Sequence, residues 1–489
     1  MKYPNRLKNP IMAGVVLFLL SGVFTNTIAQ KMNASAEITG IVSSSDATPF
    51  WIVANRYGRY ASSGSQIGAR FQAHSSRELA NFSRSDLVLD IGADIIARPG
   101  DQSTVTFNQG YVKVSGLGLE LSAGRFHNTS PVHDPILGMG SLGVSGNATP
   151  VPQIRLGLTN WTDVPLTRGF AEVRAHLAHG WLEKDRFTES PFYQEKVGHI
   201  RFGGDLPVNL YGGLAHYSMW GGKNNPVFGD LPANFSDFWR VFIGIGGDER
   251  APDVEEDYLL GDHLGAWDFG MMVDKGAVSF TLYRQMPLET KDNLKLKSLQ
   301  DALNGISLRF DESLDIPLRG ITYEFMYTKW QDGPRVENIL DDGTRCFDFP
   351  ERCRDLFQGN ENYYNHHIYR VGWATQGRTI GNPLFRINDS PISQTVWGID
   401  NNRIVAHHLG AEFVTKSTRW RLKITASRNY GTRNDPFETP AEQLSAGLQS
   451  ETRVHFMGHP VVLIADIAWD NGDLFGTQFG ALAGFRISR

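Results

Sequence analysis

One rhythm constrains this chain more than any other feature: apolar and polar side chains alternate with a period of two, again and again. In the first such stretch Leu87, Leu89, Ile91, Ala93 and Ile95 share one face, and Asp90, Gly92 and Asp94 the other. Leu117, Leu119 and Leu121 oppose Gly118, Glu120 and Ser122; Ala171, Val173, Ala175 and Leu177 oppose Glu172, Arg174 and His176. The pattern returns at Val278–Tyr283, Ile321–Thr328 and Trp420–Ser427, where Glu324, Arg421 and Lys423 sit among the polar positions. It ends with Phe479, Ala481, Ala483, Phe485 and Ile487. Strict alternation separates the two faces of a β-strand. One face here is apolar, and the other repeatedly carries full charges.

Two architectures produce that pattern. A sandwich buries the apolar face in its core; a membrane barrel turns it to lipid and lines its lumen with the polar face. Several features favour the barrel. The segments run along the chain without a domain break, and many approach the length of a transmembrane strand. Aromatic residues gather at their ends. Short connections such as Arg98–Asp101 contrast with long irregular ones such as Gly221–Trp239 and Gln331–Asn362. The expected fold is therefore all-β, a transmembrane antiparallel barrel of roughly 16–18 strands with long external loops. Glu289–Asn304, with Leu294, Leu296, Leu299 and Leu303 among charged residues, is expected as a short amphipathic helix in a loop or plug.

The first residues agree with export. Lys2, Arg6 and Lys8 precede the apolar stretch Ile11–Val23, and Thr27-Ile28-Ala29 is a small-x-small cleavage site. Residues 1–29 therefore read as a signal peptide and 30–489 as the barrel domain. The whole chain has a formal charge of −5, and the signal carries three of its cations. The mature part is thus more acidic still, which argues against nucleic acid as a partner. Cys346 and Cys353 are the two cysteines. In an oxidising compartment they are expected to pair as a disulfide closing a small loop, with a reactive thiol pair as the alternative.

Few residues point to catalysis. Gly138-Met-Gly-Ser-Leu-Gly143 matches a dinucleotide fingerprint, but the turn-rich stretch that follows provides no helix. His176 and His179 fall on opposite faces of a strand and cannot share a metal; the His366-His367 and His407-His408 pairs meet the same objection if they lie in strands. No nucleophile elbow is present. Neither a cofactor nor a metal nor catalytic residues are expected. A glycosidase carboxylate pair stays open, because no spacing singles one out.

What stands out is aromatic and amide-rich loop chemistry. Tyr217-Ser-Met-Trp220-Gly-Gly-Lys-Asn224-Asn225 is one such stretch. Asn360–Tyr369, running into Gly372–Pro383, is the other. Flat rings stack on sugar faces, while amides and guanidinium groups meet hydroxyls and carboxylates. Trp220, Asn224, Tyr363, Tyr364, Asn365, His366, Arg378 and Asn382 are the candidate polysaccharide contacts. The competing reading places the rings in interfacial girdles. The charges Glu172, Arg174, Glu324, Arg421 and Lys423 are expected to face the lumen.

Gly138–Arg155 together with Asp163–Phe170, His263–Gly270, and Tyr363-Tyr-Asn-His followed by Gly377–Pro383 resemble the Wzi-type capsule assembly family. The resemblance implies an outer-membrane barrel of about 18 strands. It also implies a non-catalytic surface lectin that attaches capsular polysaccharide, and other capsule export components as partners beside membrane lipid. Two departures stand out. Enterobacterial members carry an N-terminal helical bundle, whereas strand-like sequence begins here by about Ala36. The chain ends Phe485-Arg-Ile-Ser-Arg489, with its aromatic set back from the terminus. A diffusion porin is the alternative function, and an outer-membrane enzyme the third.

Overall fold

The computed structural model describes residues 32–489 apart from 83–84, 100–103, 129–132, 258, 290–295, 297–298, 332–341, 346–347 and 349–360. The first strands are β1 (Met32–Ser43), β2 (Gln66–Phe82), β3 (Ser85–Arg98), β4 (Thr104–Gly116), β5 (Leu119–Arg125) and β6 (Gln153–Leu158). Then come β7 (Ala171–Trp181), β8 (Phe192–Phe202), β9 (Val208–Trp220), β10 (Asp262–Asp274), β11 (Val278–Leu288) and β12 (Ala302–Phe310). The last are β13 (Leu318–Tyr327), β14 (Ile404–Thr415), β15 (Thr418–Gly431), β16 (Pro436–Phe456), β17 (His459–Gly472) and β18 (Gln478–Ser488). Each pairs antiparallel with the next, and β1 pairs with β18, so the 18 strands close into a barrel. Closure leaves no open edge, the condition for a sheet to span hydrocarbon. Among the described residues three helices accompany the strands: α1 (Phe50–Val53), α2 (Phe235–Ile243) and α3 (Asp253–Asp257).

The alternation resolves into an inside-out distribution. Ile38, Ile91, Leu121, Leu177, Ile200, Leu282, Ile306 and Ile467 are exposed on the outer wall. Glu37, Asp94, Ser122, Asp268, Glu324, Lys423 and Asp466 are buried inside. Near the closure seam the inner charges compensate one another across strands. Arg70 bonds Asp94 through its Nε at 2.7 Å, and Arg486 reaches Glu37 at 3.4 Å and Glu451 at 3.1 Å. Two inner-wall glycines let side chains cross a strand. A Cβ on Gly305 would collide with the Tyr283 ring, which crosses β12 there to donate to Glu324 on β13. A Cβ on Gly213 would strike His199, which crosses β9 to Asp268, 2.8 Å away.

The two ends differ. The start of β1, the end of β18 and the turns at 117–118, 275–277, 416–417 and 457–458 lie at one end. The connections 44–65, 126–152, 221–261 and 328–403 lie at the other. By the habit of such barrels the first end is periplasmic and the second external. The Arg98–Asp101 connection belongs to the external end, so loop length alone does not sort the ends.

Three sequence expectations need correction. Leu117 and Gly118 form a turn with φ of 54° and 80°, so β5 begins only at Leu119. In the expected helix Glu289–Asn304, Ala302–Asn304 is already strand β12, with Leu303 buried. Leu299 precedes the strand and Leu303 lies within it, while 290–295 and 297–298 lie outside the described residues. Finally, the end of the irregular stretch Gly221–Trp239 is the first part of α2. Cys346 and Cys353, the expected disulfide, lie outside the described residues.

Candidate functional site at the external end

The described parts of three external connections turn inward and pack on the inner wall and on each other. The first, 44–65, carries α1. Its four residues Phe50-Trp51-Ile52-Val53 are all buried, which accounts for an apolar run that fits no strand. Trp51 lies against Gly447, where a Cβ would overlap it, and Lys423 sits 4.6 Å from its ring. Asp470 accepts the Phe50 N–H at 2.8 Å, and Asp466 pairs with Arg56 at 2.6 Å.

The second connection, 126–152, holds the glycine-rich stretch. Asp134 is its anchor. It accepts from Arg309 at 2.6 Å, from Ser307 and Thr322 at 2.8 Å, and from the backbone of Leu137 at 2.9 Å. Burial alone would raise this carboxyl, but the Arg309 guanidinium and these donors hold it well below the usual range. Further along, Glu324 accepts the Met139 N–H and Gln285 the Leu142 N–H, while His408 bonds the Leu137 carbonyl. The glycines serve close packing: a Cβ on Gly143 would strike the Tyr217 ring. Gly138-x-Gly-x-x-Gly is thus a packing motif of the plug.

The third connection, 328–403, locks the other two. Tyr363 donates to Asp301 at 2.8 Å and Tyr364 to the Leu142 carbonyl at 2.6 Å. Asn382 reaches the Gly140 carbonyl at 2.6 Å. Arg378 donates to the Tyr60 carbonyl at 2.7 Å, and burial pushes its guanidinium down to about 10. Burial likewise pushes Asp301 up to about 6. One apolar cluster draws on all three connections and the wall, among them Trp51, Met139, Tyr217, Tyr363, Tyr364 and Trp373.

The candidate sugar contacts fall in different places. Tyr363 and Tyr364 are 1% and 2% exposed, and Asn365 and Asn382 are also buried, so these four form the inner frame of the plug. His366 is half-buried beside His367 and Tyr369. Asn224 is exposed, and its N–H bonds Asp230. Trp220 lies on the outer wall, packed against Phe238 of α2 at 6.0 Å. Arg378 lines an external cleft. The lumen charges sit on the inner wall: Glu172 pairs with Arg201 at 2.6 Å, Arg421 with Glu412 at 2.7 Å, and Lys423 points to the Gly138 carbonyl. Arg174 lines a small cavity with Glu120 and Arg155.

The external cleft has a volume of about 480 Å³ and lies between connection 44–65, residues 377–389 and 474–478. Its walls combine Phe385, Phe475, Asp46, Asp389, Arg378 and Arg386. Phe475 is half-buried and stacks on Phe50 at 5.0 Å. Arg386 is held by Asp400 at 2.8 Å and by the Leu474 carbonyl at 2.7 Å, and it stays partly exposed. Sequence reading missed Phe50, Phe475 and Arg386, because chain positions 50, 386 and 475 meet only in the fold. Among the described residues no group of His, Cys, Asp and Glu is placed to hold a metal.

Against solved structures, Wzi of Escherichia coli aligns with a TM-score of 0.56 at 15% identity, over 92% of this chain and 84% of its own. That protein is described as an outer-membrane, carbohydrate-binding β-barrel involved in group 1 capsule assembly. OccK3 (OpdO) of Pseudomonas aeruginosa aligns with a TM-score of 0.47 at 9% identity, over 94% of this chain and 96% of its own. No curated protein matches by sequence. The family model described as capsule assembly protein Wzi matches residues 29–412, and the chain belongs to that family of outer-membrane β-barrels.

Proposed function

We propose that this barrel binds the producing cell's own surface polysaccharide at its external end and holds it there for capsule assembly. The signal segment 1–29 is removed on export, and residues 30–489 act as one barrel unit. The external cleft carries the reading. It sets a stacked pair of rings beside two guanidinium groups and several carboxylates, amides and hydroxyls, the donor set that a hydrated, acidic glycan needs. Phe475 and Arg386 are the first contacts, with Arg378 behind them; Asn224 lies apart from the cleft, on the connection that follows β9. The buried candidates Tyr363, Tyr364, Asn365 and Asn382 hold the cleft's floor in shape, and His366 lies beside them. No step of bond making or breaking is needed for this role, and other capsule export components are its natural partners.

The porin reading would use the charged lumen. The three inward connections weigh against it, each bonded to a wall strand: Asp134 to Arg309, Phe50 to Asp470 and Asn401 to Asn429. Two experiments separate the readings. A deletion strain carrying Phe475→Ala and Arg386→Ala in the restored gene should shed its capsule, while a strain restored with the unaltered gene retains it. Reconstituted protein should be electrically silent in a planar bilayer; steady single-channel currents with normal capsule retention would favour the porin.

A further inference from the structure

The lipid-facing wall departs from its apolar pattern in a cluster of neighbouring polar side chains. Near the external rim of β7–β10 the outward positions carry His179, Gln194, Lys196, His216, Ser218 and His263. They are neighbours: Gln194 stands beside His179 and Ser218, Lys196 beside His216, and Ser218 beside His263. Facing hydrocarbon directly, such a patch would be costly, since lipid offers no hydrogen bonds and a lysine near the midplane costs about 2–4 kcal/mol.

The chain roofs this patch with its own connection 221–261. Phe238 of α2 packs on His179 and Trp220, with ring centres 5.9 and 6.0 Å apart, and Val241 is fully buried beneath the helix. Lys196 donates from the wall to the carbonyls of Val241 and Phe242, at 3.2 and 2.6 Å, in the last turn of the helix, where a cation is favoured. His263 bonds the Leu260 carbonyl at 3.0 Å. The helix is well defined at both ends, by an Asn234–Asp237 capping box and by Gly244 at φ 69°. Lys196 lies four residues along β8 from Phe192 at the rim, about 13 Å at strand spacing, so the roof reaches down beside the wall.

The far side of the roof is apolar. Phe235, Trp239 and Ile243 recur every fourth residue and are 75%, 46% and 63% exposed, and Ile245 follows at 41%. The stripe continues the lipid-facing surface of Leu177 and Trp181 on β7, against whose His179 the helix packs. We propose that α2 is a membrane-contact element. It lies in the outer leaflet, its Phe235–Trp239–Ile243 stripe among acyl chains, while its other face seals the polar patch. The occupant of the stripe is lipid because the surface it extends is already the lipid-facing one.

The test places a nitroxide label at Phe235→Cys, Trp239→Cys or Ile243→Cys, with Cys346→Ser and Cys353→Ser, in protein reconstituted into vesicles. Phe228→Cys, on the same connection but away from α2, serves as the aqueous control. The expected result is greater relaxation by oxygen than by a water-soluble nickel chelate at 235, 239 and 243, and the reverse at 228. Nickel access at all three α2 sites would overturn the proposal. So would protection from both reagents accompanied by cross-linked dimers, which would show a protein in place of lipid. Should the cysteine-free background fold poorly, quenching of native tryptophan emission by brominated lipid is the second readout. Trp239→Phe should remove a quenched component, and an unchanged quenching profile would count against α2 in the membrane.

Discussion

The seam side of the barrel, β14–β18 and β1–β6, and the α2 side, β7–β10, use the same alternation with different outcomes. On the seam side the outer positions Ile38, Ile91, Leu463, Ile467 and Phe485 stand bare to lipid. On the α2 side the equivalent outer positions include Lys196 and three histidines, and a segment of chain covers them. Inside, two plug connections are tied to wall charges, 126–152 through Asp134 and Arg309 of β12, and 44–65 through Arg56 and Asp466 of β17. The difference shows that polar side chains on the outer wall are kept from lipid by covering chain, with Lys196 and His263 bonded to its carbonyls, whereas inside they meet the plug and one another.

Four measurements sharpen that comparison. The largest effect is expected inside. Trp51→Ala removes a ring locked between Gly447 and Lys423 and should cost about 3–5 kcal/mol in denaturant unfolding of the detergent-folded barrel. An equally stable variant would mean that connection 44–65 is not part of the folded core.

Next comes a charge on the bare wall. Ile467→Lys, 49% exposed on β17, should destabilise by about 2–4 kcal/mol in lipid vesicles. The native Lys196 is tolerated because α2 receives it. If Ile467→Lys is harmless, the seam wall does not face lipid as described.

A pH effect follows. Burial raises Asp301 from 3.8 to about 6, so the folded state binds a proton more tightly than the unfolded chain. Its stabilising contribution is therefore present below about pH 4 and lost as pH rises to about 6. At each pH, stability of Asp301→Asn set against the natural chain should expose this slope, worth about 3 kcal/mol at most. A pH-independent difference would place Asp301 in water.

The smallest change is expected for Lys196→Met. It removes both the charge and the donor to the last carbonyls of α2, and the two effects offset to within about 1 kcal/mol. Hydrogen exchange should rise in 235–243 even so, because the helix end is unfastened. A loss comparable to that of Trp51→Ala would show that the roof holds the barrel together.

The wall was legible in the sequence because a strand's period of two is local: Leu89 and Asp90 already declare opposite faces. The family resemblance carried by Gly138–Arg155 and Tyr363–Pro383 was legible too, and it is where the plug is built. What the residues did not reveal is which aromatics face outward. Tyr363 and Tyr364 look like sugar platforms in a loop, yet their hydroxyls reach Asp301 and the Leu142 carbonyl, partners 62 and 222 positions away. Trp220 closes a strand whose outer face is roofed, so it meets Phe238. Phe475 stands in a short, plain turn, and only the inward fold of connection 44–65 brings Phe50 beneath it. Such pairings depend on where loops land, which no periodicity records.

The most direct test of the central claim is retention of the producing strain's purified surface polysaccharide by vesicle-reconstituted barrel. The natural chain should retain it, Phe475→Ala and Arg386→Ala should each lose most of that retention, and Tyr363→Phe should retain it while lowering stability. Undiminished retention by the two cleft variants, or none by a folded natural chain, would contradict the account.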